Sequence, residues 1–274
     1  MKAFLRFRSR ILFLAILAAS AGILVGCGGR QGSNSTAGQS PELRGRQMVD
    51  EYLKRDSSPY RKSRIRFTVT EEGETAKVYE IDSWRKQTPD ETTTLNDEII
   101  APPDESGTRT LTIEARDKKT IVVTYAASRN EFRETDSKKM FVGGLSAGEL
   151  LGDWDKFNYQ FIDEKDLSGV KVFEVEGKLK NGADSIVSRM TLLFRSDNYV
   201  PVETHLFGAD GREIRAYKTA AIKDDPAHPY ASKIDVDNSV YKSHIVIEIV
   251  SREFPASIDD SMFAREKLKE PVRK

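Results

Sequence analysis

Residues 191–218, TLLFRSDNYVPVETHLFGADGREIRAYK, decide how the chain is read. Their opening continues a pattern with a period of two: Met190, Leu192 and Phe194 alternate with Arg189, Thr191 and Arg195. Successive side chains of a strand point to opposite faces, so this alternation describes a strand with one buried and one wetted side. Asp210-Gly211 follows as a hairpin signal, because glycine accepts the positive φ of a tight turn. Strand, turn and strand with no crossover helix is the mark of an antiparallel sheet.

The same alternation extends in both directions from this stretch. Ile65, Phe67 and Val69 alternate with Arg64, Arg66 and Thr68, and Leu111 and Ile113 with Thr110, Thr112 and Glu114. Ile121, Val123 and Tyr125 repeat it, as do Phe173 with Val175 and Ile245, Ile247 with Ile249. Glu72-Gly73, Ser106-Gly107, Ser168-Gly169 and Asn181-Gly182 punctuate these runs as turns. The spacing predicts roughly ten strands, in a curved antiparallel sheet or incomplete β-barrel. No strand–helix–strand alternation occurs, which excludes a doubly wound α/β fold.

Helical patterns are few. Residues 41–54 form the best one: Ser40 is placed to cap it, Pro41 suits the first helical position, and Met48, Val49, Tyr52 and Leu53 share a face. Gly45 weakens it. Residues 146–151 (SAGELL) predict a short helix lying as a lid, and residues 260–268 (DSMFAREKL) a third that offers Met262, Phe263 and Leu268 for packing. The class is therefore mainly β, α+β, with an N-terminal helix and a short helical lid.

The first 26 residues follow other rules. Lys2, Arg6, Arg8 and Arg10 precede an uncharged apolar run from residue 11 to 25. That run falls short of the about 20 residues of a membrane span and has the form of a secretory signal. It ends in Leu24-Val25-Gly26-Cys27, which resembles a bacterial lipobox. The resemblance implies cleavage before Cys27, the only cysteine of the chain, and acylation of that residue, so that the acyl chains hold the protein to a membrane. Residues 27–40 then form the acylated cysteine and a flexible tether, since GGRQGSNSTAGQS has no apolar periodicity; it reaches about 20 Å as a coil. Gly28, where an Asp would retain a lipoprotein at the inner membrane, favours the outer membrane. Residues 41–274 are read as a single domain.

The 274 residues carry 43 basic and 43 acidic side chains, and this balance excludes a dedicated nucleic-acid binder. Loss of residues 1–26 removes four basic and no acidic residues, leaving a mature net charge of −4. One cysteine excludes an internal disulfide framework. His205, His228 and His244 are too few for a histidine metal cluster, and Asp235-Val236-Asp237-Asn238 lacks the remainder of a calcium loop, so no metal or cofactor is expected. Gly144-Leu145-Ser146-Ala147-Gly148 fits G-x-S-x-G, the nucleophile elbow of serine hydrolases, with Ser146 as nucleophile and His228 or His244 as base. That elbow needs a parallel sheet with crossover helices, which the pattern here lacks. The aromatic residues Trp84, Phe141, Trp154, Phe157, Tyr159 and Phe161 read as core packing or as the wall of an apolar pocket under the lid.

The C-terminal half is recognisable. VPVETHLF, then ADGREIRAYK, the strand YKSHIVIEIVSREF (241–254) and the closing IDDSMFAREKL (258–268) resemble the outer-membrane lipoprotein-sorting family, LolA/LolB-like. FVGGLSAGELLGDW resembles that family's glycine-led entry to a central helix. The resemblance implies a non-enzymatic, strongly curved incomplete barrel whose apolar face holds acyl chains of lipids or lipoproteins. It implies an apolar cleft at Trp84, Phe141, Trp154, Phe157, Met190, Leu192 and Phe194, and no catalytic residue. The soluble carrier of the family diffuses, whereas Cys27 would tether this chain, as in the family's acceptor arrangement. The expected partners are a membrane, bound through Cys27, and acyl chains. A structural or stress-sensing module that contacts an envelope protein is the alternative on the same fold.

Overall fold

The computed structural model describes residues 39–55, 58–90, 92–115, 120–135, 142–145, 154–183 and 185–270. Among the described residues, thirteen strands form one sheet. They are β1 (Tyr60–Glu71), β2 (Lys77–Gln87), β3 (Thr93–Ala101), β4 (Arg109–Glu114), β5 (Ile121–Ala126), β6 (Glu131–Thr135) and β7 (Phe157–Leu167). Then follow β8 (Val170–Leu179), β9 (Arg189–Arg195), β10 (Pro201–Phe207), β11 (Glu213–Lys223), β12 (Tyr230–Asn238) and β13 (Ser243–Glu253). Their order is β6-β5-β4-β3-β2-β1-β13-β12-β11-β10-β9-β8-β7. Two meanders are thus joined where β1 pairs antiparallel with β13. The sheet is curved and unclosed, with β6 and β7 at its edges. The strand count exceeds the expected ten because β2, β3 and β12 carry polar residues that blur the alternation.

Turn chemistry follows the sequence. Ser168 and Gly169 both take positive φ, 56° and 87°, which is the twist a two-residue hairpin needs between β7 and β8.

The helix α1 (Pro41–Arg55) begins at Ser40, whose Oγ accepts from the Leu43 amide at 3.3 Å. It lies on β7 and β8. Gly45 is required there. A Cβ at this position would stand 2.6 Å from the backbone carbonyl carbon of Gln160, so the absence of a side chain lets the helix meet the edge strand.

Register divides the side chains between two faces. The face that carries α1 is called inner. Across it run Phe67, Ile247, Ile234 and Thr219, and beside them Val69, Ile245, Val236 and Tyr217. Farther along come Leu206, Met190, Gly177 and Tyr159. Two cores occupy this face. One gathers Met48 and Val49 of α1 with Phe157, Tyr159, Val175, Leu192, Phe194 and Leu206. The other gathers Phe67, Val69, Val236, Ile245 and Ile247 around Leu145.

At β3 to β5 the pattern inverts. Leu111 and Val123 are in register with Asn96 and Trp84, and so lie on the outer face. A third core forms there from Leu111, Val123, Tyr125 and Leu268. The C-terminal segment that covers it is two short 3-10 turns, Asp260–Phe263 and Arg265–Lys269, and not the single helix expected. Its backbone is drawn to the sheet: the Asn96 amide donates to the Met262 carbonyl, and Arg109 Nη1 donates to the carbonyls of Lys267 at 2.9 Å and Glu270 at 2.6 Å.

Candidate functional site

The inner face carries two apolar clusters, one under α1 and one around Leu145. Its α1 end is filled. Phe157, Met190, Leu192 and Phe194 sit in one cluster, with Trp154 against it, and Tyr52 of α1 packs its ring on Trp154 at 5.5 Å and on Phe194 at 5.9 Å. Tyr159 Oη closes this end by donating to the Trp154 carbonyl at 2.8 Å.

The middle of the face is closed differently, by one short segment. Gly143 and Gly144 both adopt positive φ, 64° and 77°, and deliver Leu145 into the sheet, where it is fully buried. Cβ atoms on these glycines would stand 2.6 Å from Ile245 Cδ1 and from the Tyr241 ring, so the segment lies against the strands too closely for any side chain. Arg215, 1% exposed, donates Nη2 to the Gly144 carbonyl at 2.6 Å. Asn238 Nδ2 and Ser243 Oγ each donate to the Gly143 carbonyl at 3.2 Å. A buried charge-assisted hydrogen bond and two neutral ones fasten the segment over an apolar floor. Nothing in the sequence marks Arg215 as buried, because it sits in the charged run GREIRAYK.

The rest of the inner face, over β1 to β5, is divided lengthwise. Ile249, Ile65, Ile81 and Ile99 are in register and form an apolar row. One step along the strands lies a polar row in register: Arg252, Ser63, Ser83, Asp97, Thr110, Thr124 and Arg133. Thr110 and Thr124 share a hydrogen bond of 3.1 Å, and Arg252 Nε donates to Ser63 Oγ at 3.4 Å. Burial pushes the Asp97 carboxyl up to about 6, against the lowering effects of its hydrogen bond to Ser83 and of the Arg61 guanidinium. Desolvation penalises the charged carboxylate more than these neighbours restore it.

Trp84 does not join the cleft residues. It faces outward, in register with Asn96, whose side chain holds the C-terminal segment. Strand parity explains this: Ser83 and Arg85 take the inner positions of β2. Phe141, the 146–151 lid, Ser146 and Cys27 lie outside the described residues.

The hydrolase reading finds no support. Every strand pair is antiparallel, so no parallel strand–elbow–helix unit exists among the described residues. His205 and His244 stand on the outer face beside Glu213 and Asp237, at 2.7 Å and 2.8 Å, and His228 Nδ1 meets the Arg55 carbonyl at 3.0 Å. Among the described residues no group of three or more His, Cys, Asp or Glu is arranged to hold a metal. An open depression of about 490 Å³ beside the β1–β2 and β12–β13 turns is bordered by charged residues, among them Glu71, Glu72, Glu74, Asp237, Lys242 and His244, and lies apart from the apolar floor around Leu145.

Residues 91–270 match the model of a family described as "uncharacterized protein". No curated protein matches. Solved structures share the fold. A DUF1329 family protein from Desulfovibrio piger superposes with a TM-score of 0.78 at 17% identity, covering 84% of this chain and 100% of that one. A domain assigned to outer-membrane lipoprotein sorting, from Vibrio parahaemolyticus, gives 0.75 at 13% identity, covering 83% and 99%. A LolA-superfamily protein from Nitrosomonas europaea gives 0.66 at 11% identity, covering 81% and 98%.

Proposed function

The chain belongs to the family whose model spans residues 91–270, and from its LolA-like fold we propose that it is a lipid-anchored protein of the bacterial envelope that buries acyl chains of a lipid or lipoprotein on its inner face. The observation that carries this reading is the apolar floor of Phe67, Val69, Val236, Ile245 and Ile247, covered in its middle by one buried residue, Leu145. On this reading Leu145 withdraws at the cost of three hydrogen bonds, and an entering chain recovers about 0.8 kcal/mol for each methylene buried.

The mechanism is exchange of one apolar occupant for another, with no covalent step and no catalytic residue. Cys27, acylated after removal of residues 1–26, fixes the protein to the outer membrane facing the periplasm, and residues 27–40 set how far the domain stands from it. The fold itself, shared with a lipoprotein-sorting domain, supports the lipid reading over the hydrolase one.

Native mass spectrometry of the chain lacking residues 1–27, incubated with cell-envelope lipids and repurified without detergent, tests the proposal. Retained lipid or acylated peptide is the expected result. A protein that is empty and also fails to take up palmitoyl lipids offered to it sinks the reading.

A further inference from the structure

The C-terminal segment covers two side chains of the outer face without satisfying them. Asn96 and Arg109 are 0% and 3% exposed. Asn96 is directly opposite Leu111, and Arg109 stands two residues before Leu111 on β4, so the two are diagonal neighbours about 7–8 Å apart. Each gives the segment only part of its hydrogen-bonding capacity. Asn96 Nδ2 donates to the Met262 carbonyl, and Arg109 Nη1 to the carbonyls of Lys267 and Glu270. Among the described residues, Asn96 Oδ1 and Arg109 Nε and Nη2 have no hydrogen-bond partner. Buried polar atoms in that condition are costly and rare. Glu98, directly opposite Arg109, and Glu270 favour its charge, burial opposes it more strongly, and neither carboxylate takes the free hydrogens.

The conformation of the segment explains the deficit. Its 3-10 turns spend their amides internally: Met262 donates to the Asp259 carbonyl at 3.0 Å, Ala264 to Ser261 at 3.2 Å, and Lys267 to Ala264 and Glu270 to Lys267 at 3.0 Å each. Carbonyls are left for the sheet, and no amide for Asn96 Oδ1. A side-chain amide carries an acceptor beside its donors. It therefore matches an extended chain, in which the N–H and C=O of one residue point to the same edge. Two residues on, about 7 Å along such a chain, the next carbonyl of that edge falls at the spacing of Arg109. Beside both, the pocket of Leu111, Val123 and Tyr125 that holds Leu268 has room for one aliphatic side chain.

We propose that Asn96, Arg109 and this pocket form a docking groove for an extended segment of a partner protein, which displaces residues 260–270 and is read through its backbone and one aliphatic side chain. The groove lies on the outer face and is independent of acyl binding. Its present cover follows the last strand, so it can leave without breaking a strand pair. The further ties of the cover are ion pairs at the rim, Lys86 with Asp260 and Arg265 with Glu134, and such exposed pairs contribute little. With the cover gone, Lys86 and Arg109 face Glu98 and Glu134 on the same side of the sheet. These charges balance, which suits an uncharged, apolar stretch. Main-chain hydrogen bonds supply affinity in this mode of recognition, and the pocket supplies selectivity.

A library of random dodecapeptides displayed on phage, selected against the chain lacking residues 1–27, supplies the probes, which are then synthesised with blocked ends. Saturation with a selected peptide is expected to quicken hydrogen exchange over residues 260–270 by about tenfold or more, while Val236 of the inner core stays protected. N-methylation, moved one residue at a time along the peptide, should weaken binding about tenfold at the amide that meets Asn96 and leave it unchanged at the residues on either side, since neighbouring amides of an extended chain point to opposite edges. Asn96→Leu and Arg109→Met should each weaken binding about tenfold, with circular dichroism confirming the fold. The methylation series uses the wild-type protein and decides the matter if either variant does not fold.

Selection of no binding peptide overturns the proposal. So does a bound peptide that leaves exchange over residues 260–270 unchanged, because it sits elsewhere. N-methylation tolerated at every position removes the backbone readout and the proposal with it. Peptides that repeat the spacing of Phe263 and Leu268 and show no alternation assign the groove to the C-terminal segment of a second copy, and overturn the partner assignment.

Discussion

Replacing Leu268 by Ala tests whether the sheet buries apolar side chains on both faces. Leu268 is fully buried against Leu111, Val123 and Tyr125 on the outer face. The substitution removes three carbons, worth about 2.4 kcal/mol at roughly 0.8 per methylene. A rigid site would add a cavity term and approach 5 kcal/mol. The C-terminal segment is short and can settle into the space, so the loss should stay near the lower end, about 2.5–3 kcal/mol. Its anchors limit how far it settles, since Arg109 holds the carbonyls of Lys267 and Glu270 on either side of Leu268. The two tryptophans report separately on the two faces. Trp84 stands on the outer face and Trp154 beside α1 on the inner one. Urea unfolding followed by fluorescence in a Trp154→Phe background should show the midpoint shift, with a change in Trp84 emission before unfolding. A loss below about 0.5 kcal/mol with unaltered Trp84 emission would refute the outer core.

Two further predictions concern the inner face. Asp97 has its carboxyl raised from 3.8 to about 6, so the folded protein binds a proton there that the unfolded chain has already lost. Its contribution is therefore favourable below about pH 4 and is lost as pH rises through 6; Asp97→Asn should stabilise the protein at pH 7.5 by about 2–3 kcal/mol and not at pH 3.5. Equal denaturation midpoints for the two proteins at pH 7.5 would contradict this. Arg215→Met keeps the buried volume but leaves the Gly144 carbonyl without its donor, a loss of about 1–3 kcal/mol confined to residues 143–145. Hydrogen exchange over residues 143–145 should quicken by tenfold or more while Val123 on the outer core stays protected, and unchanged exchange there would show that Arg215 does not fasten the segment.

The strands were legible because one-sided burial writes a period of two into Phe67, Ile245 or Leu192, and α1 was legible from Ser40, Pro41 and the face of Met48 and Val49. Which face each strand buries was not. Leu111 and Val123 alternate as cleanly as Phe67 and Val69, yet they point the other way, and only the register through β2 and β3 reveals it. Trp84 was misplaced for the same reason. The C-terminal segment has apolar residues at helical spacing, but its carbonyls are spent on Asn96 and Arg109 of the sheet, and Ala264 is extended between two 3-10 turns. The polar row is invisible in one dimension, since its members lie on different strands far apart in the chain. Arg215 reads as a surface residue, and its role emerges only when the double glycine is brought onto it.

The most direct test of the account locates the acyl chain. A palmitoyl lipid with a photoactivatable diazirine near its chain terminus, bound to the detergent-free protein and irradiated, should label inner-face residues such as Ile65, Ile81, Ile247 and Tyr217. Labelling confined to the outer face, at Trp84, Leu111 or the C-terminal turns, would contradict the account.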